Sequence, residues 1–305
     1  GVGGGSCGAA GVGCRRRWGG ADAGGGPELC AGSAQEGDLP PPPDGGADGG
    51  SLADLSSFDR MQQLEAEYWA TLSPVEREAE QRSLAALAYL RIGQLEDALK
   101  AFDRVAQLKP NGYLWQRGMT LYLLGRFDEA IQQLEQDAVL YSKRFEDAPT
   151  AELIWAAAAR ARAGLDPGTP VIEPELAEIE EEFKEHNPVL RTAYGLFCGT
   201  HSLEDLGGFV IVAEQMTPES DTSGVLKDPQ GRVFLGHFYA GLWWDSVKND
   251  GRRALAHMER AKMSNFGGPD DLLKSLAGSY KTLARAPIDQ VDQPQVIGTY
   301  DLWLS

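Results

Sequence analysis

The residues with the most chemical potential lie between positions 198 and 205. Cys198 and His201 are three residues apart, and Glu204 and Asp205 follow closely. A thiol beside an imidazole is the pair used by cysteine nucleophiles, and an imidazole with carboxylates is a common acid–base or metal-binding set. No Asn or Asp can be assigned to orient the imidazole, and helix capping explains the same polar residues equally well. We therefore expect no catalytic residues in this stretch.

Elsewhere the candidates for chemistry are isolated. His237 and His257 each stand on a helical face with aromatic neighbours, the usual setting of a core or surface histidine. Cys7, Cys14 and Cys30 match no zinc-ligand spacing, and the glycines around them follow no strand and so form no phosphate-binding loop. We predict no metal, no cofactor and no enzymatic activity.

The composition restricts the classes of partner. The chain has 305 residues, a formal net charge of −17 and an isoelectric point near 4.7. This acidic balance argues against binding to the phosphates of nucleic acids or to anionic lipid surfaces. An apolar share of 42% is ample for a core, but no apolar run approaches the length of a membrane-spanning helix. We expect a protein partner, no nucleic acid and no membrane span.

Composition divides the chain into three regions. Residues 1–56 are dominated by glycine and proline and predict a disordered, low-complexity leader. Residues 57–286 have the three- and four-residue apolar spacing of amphipathic helices and predict one helical domain. Residues 287–305 form a tail with apolar residues at its end, which predicts packing against the helical domain or against a partner, including a second copy in a homo-oligomer.

The leader carries a weak targeting signal. Its first 20 residues contain three consecutive arginines and no acidic residue. This is typical of the end of an organellar transit peptide and equally of an untargeted glycine-rich tail. The expected location is the chloroplast, with the cytoplasm as the alternative.

A repeated pair of helices is the clearest structural signal. Gly93 and Gly125 each follow a helix with apolar periodicity, and their separation along the chain equals that of Ala98 and Ala130. Small residues let two helices touch closely, while larger apolar residues fill the space around them. The pattern predicts two consecutive helix–turn–helix units, each of which must bury its apolar face against a neighbour.

Local signals set the expected ends of other helices. Ser73–Pro74–Val75–Glu76 is a capping-box sequence that starts one helix, and Thr150 is expected to cap a later one. A helix over 203–216 is expected to break at Gly207 and Gly208. A final helix over 267–287 is expected to cover the end of the helical stack.

The repeated units resemble the tetratricopeptide repeat (TPR) superfamily. Its signature positions are occupied by Ala86, Tyr89, Gly93, Ala98, Phe102, Pro110, Gly118, Gly125, Phe127 and Ala130. The resemblance implies an all-α, right-handed solenoid of antiparallel helix pairs that acts as a scaffold or peptide-binding module, and it implies no chemistry. The order of motifs over residues 80–285 is also similar to that of plant and algal TPR-like proteins, often plastid-targeted and without assigned activity.

In TPR proteins the first helix of each pair lines a concave groove, and the resemblance places seven residues there. They are Leu87, Leu90, Arg91, Trp115, Met119, Tyr122 and Leu123. This apolar and aromatic surface suits a helix or an extended peptide, and Arg91 can pair with an acidic group on it. The alternative is that neighbouring helices of the same chain fill the groove, with the first helix (Phe58 to Leu72) and the tail at Trp303 as two candidates.

The predicted function is therefore a protein–protein interaction scaffold that binds a partner peptide or helix in this groove. The alternative is an enzyme or enzyme-regulatory subunit with its site in the insertion at 199–232. That alternative is kept because long loops in repeat proteins are often functional.

Overall fold

A computed structural model describes residues 57–170, 185, 187–215, 229–267, 271–283 and 301–303. These residues form eleven α-helices and one short 3₁₀ helix, without any strand, which confirms the all-α class. The helices are α1 (Ser57–Thr71), α2 (Pro74–Arg91), α3 (Leu95–Leu108), α4 (Trp115–Leu123), α5 (Phe127–Phe145), α6 (Thr150–Arg162), α7 (Pro188–Phe197), α8 (Leu203–Gln215), α9 (Pro229–Ser246), α10 (Gly251–Met263), α11 (Leu272–Leu283) and the 3₁₀ turn Asp301–Trp303. The predicted leader, 1–56, lies outside the described residues.

The first helix pair starts at the predicted capping box. Ser73 Oγ accepts a hydrogen bond from the Glu76 N–H (3.3 Å), and the Glu76 carboxylate accepts one from the Ser73 N–H (2.8 Å). These bonds satisfy donors that have no partner inside the helix, so they fix the start of α2. α2 and α3 pack along their length. Gly93 lies in the turn between them with φ of 76°, a left-handed conformation that favours glycine.

Gly118 determines how closely α4 and α5 approach. A Cβ atom at this position would lie 2.5 Å from Leu134 Cγ, far inside van der Waals contact. Gly125 repeats the role of Gly93, since it closes the turn between α4 and α5 with φ of 75°. The prediction that small residues bring this helix pair together is confirmed.

Helix α6 is buried over its length from Thr150 to Arg160. It packs against α5, α7 and α9. The prediction that Thr150 caps it is wrong, because Pro149 occupies the N-cap position and no side chain caps the helix. Glu152 cannot close a capping box there, because Pro149 has no N–H to donate; its carboxylate accepts a hydrogen bond from the Tyr113 hydroxyl.

Helix α9 is the central element of the C-terminal half. Each residue from Val233 to Ser246 is buried, as expected for a helix surrounded by others, and its neighbours are α6, α7, α8 and α10. Helix α11 packs against α10 and also against α2. Helix α11 therefore contacts the first helix pair as well as its neighbour in sequence.

The predicted break in α8 does not occur. The helix runs without interruption from Leu203 to Gln215. Gly207 serves packing: a Cβ there would lie 2.7 Å from ring atoms of Trp303. Gly208, in contrast, has nothing within 4 Å of its Cβ position and simply faces outward.

Candidate functional site

The residues predicted to line a groove share one side of α2 and α4, but most of them are buried. Leu90 and Met119 are fully buried, and Tyr122 and Trp115 are 4% and 9% exposed. Only Leu87, Arg91 and Leu123 are half-buried.

Helices of the same chain cover this face. α6 packs against α4, and α11 packs against α2. The Tyr122 ring meets the edge of Trp155 on α6, with 5.4 Å between ring centroids. Other helices of the chain thus cover this face, which is the alternative that the sequence left open, and those helices are α6, α9 and α11.

The polar contact that holds this arrangement is centred on Asp245 of α9. Its two carboxylate oxygens accept hydrogen bonds from the hydroxyls of Tyr122 on α4 (2.9 Å) and Tyr280 on α11 (2.8 Å). Burial, and then the nearby Asp245 carboxylate, raise the pKa of both phenols well above their ordinary value. Both tyrosines therefore stay protonated and act as donors.

The cluster singled out for chemistry at 198–205 caps helices. Ser202 Oγ accepts a hydrogen bond from the Asp205 N–H (3.2 Å), and Asp205 Oδ2 accepts one from the Ser202 N–H (2.8 Å), so the two residues form a capping box for α8. The Ser202 N–H and the Ser202 hydroxyl both donate to the Asp205 carboxylate and lower the pKa of that carboxyl. The His201 N–H donates to the Gly195 carbonyl (3.1 Å), which closes α7. Of the predicted insertion, residues 216–228 lie outside the described residues.

Two histidines that the sequence shows as isolated meet in the core. His237 on α9 and His257 on α10 have their Nδ1 atoms 3.0 Å apart, and both side chains are fully buried. His257 Nε2 lies 3.1 Å from the carbonyl oxygen of Leu302, and His237 Nε2 lies 3.6 Å from the Glu214 carboxylate. The groups form one line from Glu214 through both rings to the C-terminal turn.

The hydrogen bonds assign the protons in this line. A carbonyl only accepts, so His257 must carry its proton on Nε2 and leave Nδ1 as an acceptor. The Nδ1–Nδ1 contact then requires the proton of His237 on Nδ1. His237 Nε2 is left as the basic atom that faces Glu214. His237 Nε2 can accept one more proton. A proton on His257 Nδ1, in contrast, would point its N–H at the N–H of His237 Nδ1.

A second buried acidic group lies between α4 and α5. Asp137 accepts hydrogen bonds from the Leu114 N–H (3.0 Å) and from the Gln133 side chain (2.9 Å). Burial raises the pKa of this carboxyl to about 7, against the effect of those two bonds. The group joins the loop before α4 to α5 and shows no access to a ligand, because Asp137 is fully buried.

Helix α1 presents a pair of exposed apolar side chains at helical spacing. Met61 is 36% exposed and Leu64 is 54% exposed, and they stand three residues apart on one side of the helix. Among the described helices, α1 forms no extensive packing contact with any other. Its link to α2 is made by Arg77, whose guanidinium donates to the carbonyls of Trp69 (3.0 Å) and Leu72 (3.4 Å).

Comparisons with protein-family models, curated proteins and solved structures find no match to this chain. The TPR assignment therefore stays a prediction. Within the described ranges, no helix is both long and apolar enough to cross a bilayer. Over the same ranges, no three His, Cys, Asp or Glu side chains cluster as metal ligands would.

Proposed function

We propose that this protein is a TPR-like helical scaffold that binds an amphipathic helix of another protein on its α1 surface. The observation that carries the proposal is the exposure of Met61 and Leu64 on a helix with little packing of its own. An amphipathic helix gains most of its stability by burying its apolar side. A partner that covers these side chains therefore stabilises α1 itself.

The face predicted as a groove on α2 and α4 is a poorer docking surface. Leu90 and Met119 are inaccessible there, and the Tyr122–Asp245 hydrogen bond closes it to an added helix. A ligand would first have to displace α9 and α11. The α1 surface needs no such rearrangement.

Charge indicates the chemistry of the partner. Glu65 lies next to Met61 around the helix, Glu67 lies beyond Leu64, and both glutamates are exposed. The whole chain has a net charge of −17. Apolar contact residues flanked by Lys or Arg on the partner complement such a surface, and like-charged partners are rejected.

The proposal is tested by site-specific photo-crosslinking in the cells that express the full chain. A benzoylphenylalanine replaces Leu64 in one protein and Ala66 in a control, since Ala66 is exposed on the opposite side of α1. Position 64 is expected to cross-link to a helical segment with apolar residues and flanking Lys or Arg, identified by mass spectrometry. Position 66 is expected to give no such product.

Two results contradict the proposal. One is equal cross-linking from both positions. The other is cross-linking of position 64 only to a second copy of this chain. Sedimentation of the purified protein with and without Leu64→Glu checks independently whether the chain self-associates through this surface. Ala66→Glu serves as the charge-matched control.

A further inference from the structure

The C-terminal turn sits in a pocket built by three helices. Leu302 and Trp303 are 1% and 3% exposed. The Trp303 ring lies against both imidazoles, with its centroid 4.9 Å from that of His237 and 4.8 Å from that of His257. On the third side, the missing Cβ of Gly207 makes room for the indole.

The pocket also recognises the backbone of the turn. His257 Nε2–H donates to the Leu302 carbonyl over 3.1 Å. A buried indole and a hydrogen bond to the preceding carbonyl are the two elements of a peptide-binding site, in which a side-chain pocket gives specificity and a main-chain bond fixes register. Residues 284–300 separate the turn Asp301–Trp303 from α11 along the chain.

Protonation of the histidine pair competes with docking of the C-terminal turn. The turn covers two rings that share a single proton between their Nδ1 atoms, and His257 must stay unprotonated at Nδ1 to keep that hydrogen bond. A proton taken up by His257 at Nδ1 breaks the contact with His237, and the pair then moves apart beneath the indole. His257 is therefore both the group that holds the turn and the group whose protonation disturbs it.

Charged neighbours from every helix packed against the pair affect where a proton binds. Glu214 on α8 favours a proton on His237. Arg260 on α10 opposes one on either ring, and Arg253 opposes one on His257. Burial has the largest effect and lowers the pKa of both rings, that of His257 to about 3.

The direction of the pH effect follows from this. When the turn leaves, the rings meet water, where a histidine pKa lies near 6.5. The docked state binds fewer protons than the open state. Docking is thus fully favoured above about pH 6.5 and weakens as the pH falls below it, about tenfold per pH unit for each proton taken up.

We propose that this pocket is a binding site for a Leu-Trp peptide segment, that the chain's own C-terminal turn is its resident ligand, and that protonation of His257 at Nδ1 releases it. The proposal uses none of the residues of the α1 surface. Either proposal can therefore fail without the other.

Release is tested on the unmodified full chain by hydrogen exchange read by mass spectrometry. The rates are corrected for the intrinsic effect of pH on exchange. Peptides that contain Leu302 and Trp303 are expected to lose at least tenfold in protection between pH 7.5 and pH 5.5, while peptides from α9 keep theirs. Equal protection of the terminal peptides at both pH values would overturn the proposed release.

Binding is tested with a labelled peptide of residues 296–305, VIGTYDLWLS, by fluorescence polarisation. The full chain carrying Trp303→Ala, with its pocket vacated, is expected to bind the peptide at pH 7.5 at least tenfold more tightly than the wild type does, because the wild-type terminus competes. The same peptide with alanine in place of its tryptophan is the matched control and is expected not to bind.

Circular dichroism and Tm verify that the Trp303→Ala chain is folded. Failure of a folded Trp303→Ala chain to bind the peptide, or equal binding by the wild type, refutes the peptide site. If that variant does not fold, competition is measured on the wild type, where the peptide at high concentration is expected to increase exchange of the resident turn. No increase would then count against the site.

Discussion

Tyr122 on α4 donates a hydrogen bond of 2.9 Å to Asp245 on α9, although the two residues are 123 positions apart. The same carboxylate accepts the Tyr280 hydroxyl from α11. A buried charge of this kind is costly unless hydrogen bonds replace its water. The two phenols supply them and join the first half of the fold to the second.

Loss of either phenol hydroxyl should destabilise the fold. Tyr122→Phe and Tyr280→Phe are each expected to lower the free energy of unfolding by about 1.5–3 kcal/mol, the usual range for a hydrogen bond to a charged group. The double variant should lose more or less than the sum, because both bonds end on one carboxylate. Urea denaturation measures this, with the exposed Tyr89→Phe as the control. If both single variants lose a negligible free energy of unfolding and the double variant loses only their sum, the stability of the fold does not depend on these two donors to Asp245.

Paired glycines in α8 provide a test of the tail contact. Gly207→Ala inserts a methyl group 2.7 Å from ring atoms of Trp303, whereas Gly208→Ala meets nothing within 4 Å. Alanine is the better helix former by about 1 kcal/mol. Gly208→Ala should therefore raise Tm, while Gly207→Ala should lower it or expose Trp303 to collisional quenching. Equal increases in Tm for both variants would mean that the indole does not occupy this site.

The buried ion pair between Arg160 and Glu135 should depend on both partners. Neither side chain is more than 1% exposed, and Arg160 also donates to the Pro167 carbonyl (2.7 Å). Glu135→Gln or Arg160→Met leaves the other charge buried and is expected to cost about 3–5 kcal/mol. The exposed pair Arg126–Glu129 is the control, and Glu129→Gln should produce no measurable change. Thermal and chemical denaturation decide between these outcomes.

Asp137 should make stability depend on pH. Its folded pKa, about 7, lies above the value of about 4 expected in the unfolded chain. The folded state therefore holds this proton more tightly, and the contribution is complete below about pH 4 and is lost as the pH rises through 7. The slope is at most about 1.4 kcal/mol per pH unit.

Asp137→Asn cannot titrate and is expected to flatten the pH dependence of the unfolding free energy between pH 4 and 7. The exposed Asp128→Asn is the matched control and should leave the slope unchanged. An unaltered slope in Asp137→Asn would show that this carboxyl ionises normally in the fold.

Much of the local structure could be predicted from sequence. The capping box at Ser73 and the turn glycines Gly93 and Gly125 act within a few residues, so their local sequence is sufficient. Gly118 could be predicted as a contact point because Leu134 lies in the next helix of the same hairpin. Gly207 could not be predicted as a contact point, because its role depends on the distant Trp303, which no local pattern contains. The prediction for Thr150 fails for a local reason, since the adjacent Pro149 takes the N-cap position.

The candidate sites were less predictable. His237 and His257 looked isolated because they lie on different helices, and only the packing of α9 against α10 brings their Nδ1 atoms within 3.0 Å. The predicted groove residues do share one side, as the helical period requires. Their burial depends on where α9 and α11 return, and that choice involves the whole chain.

The sequence by itself thus determined the all-α class, the helix–turn–helix units and the apolar sides of the helices, because these follow from periodicity, caps and turn residues a few positions apart. Only the tertiary structure decided which apolar sides are covered and which are exposed. It covers Met119 and Tyr122 with the chain's own helices, leaves Leu64 exposed and buries Trp303 over the histidine pair. Whether a side chain is buried depends on residues far from it in sequence, and it is decided only when the helices pack together.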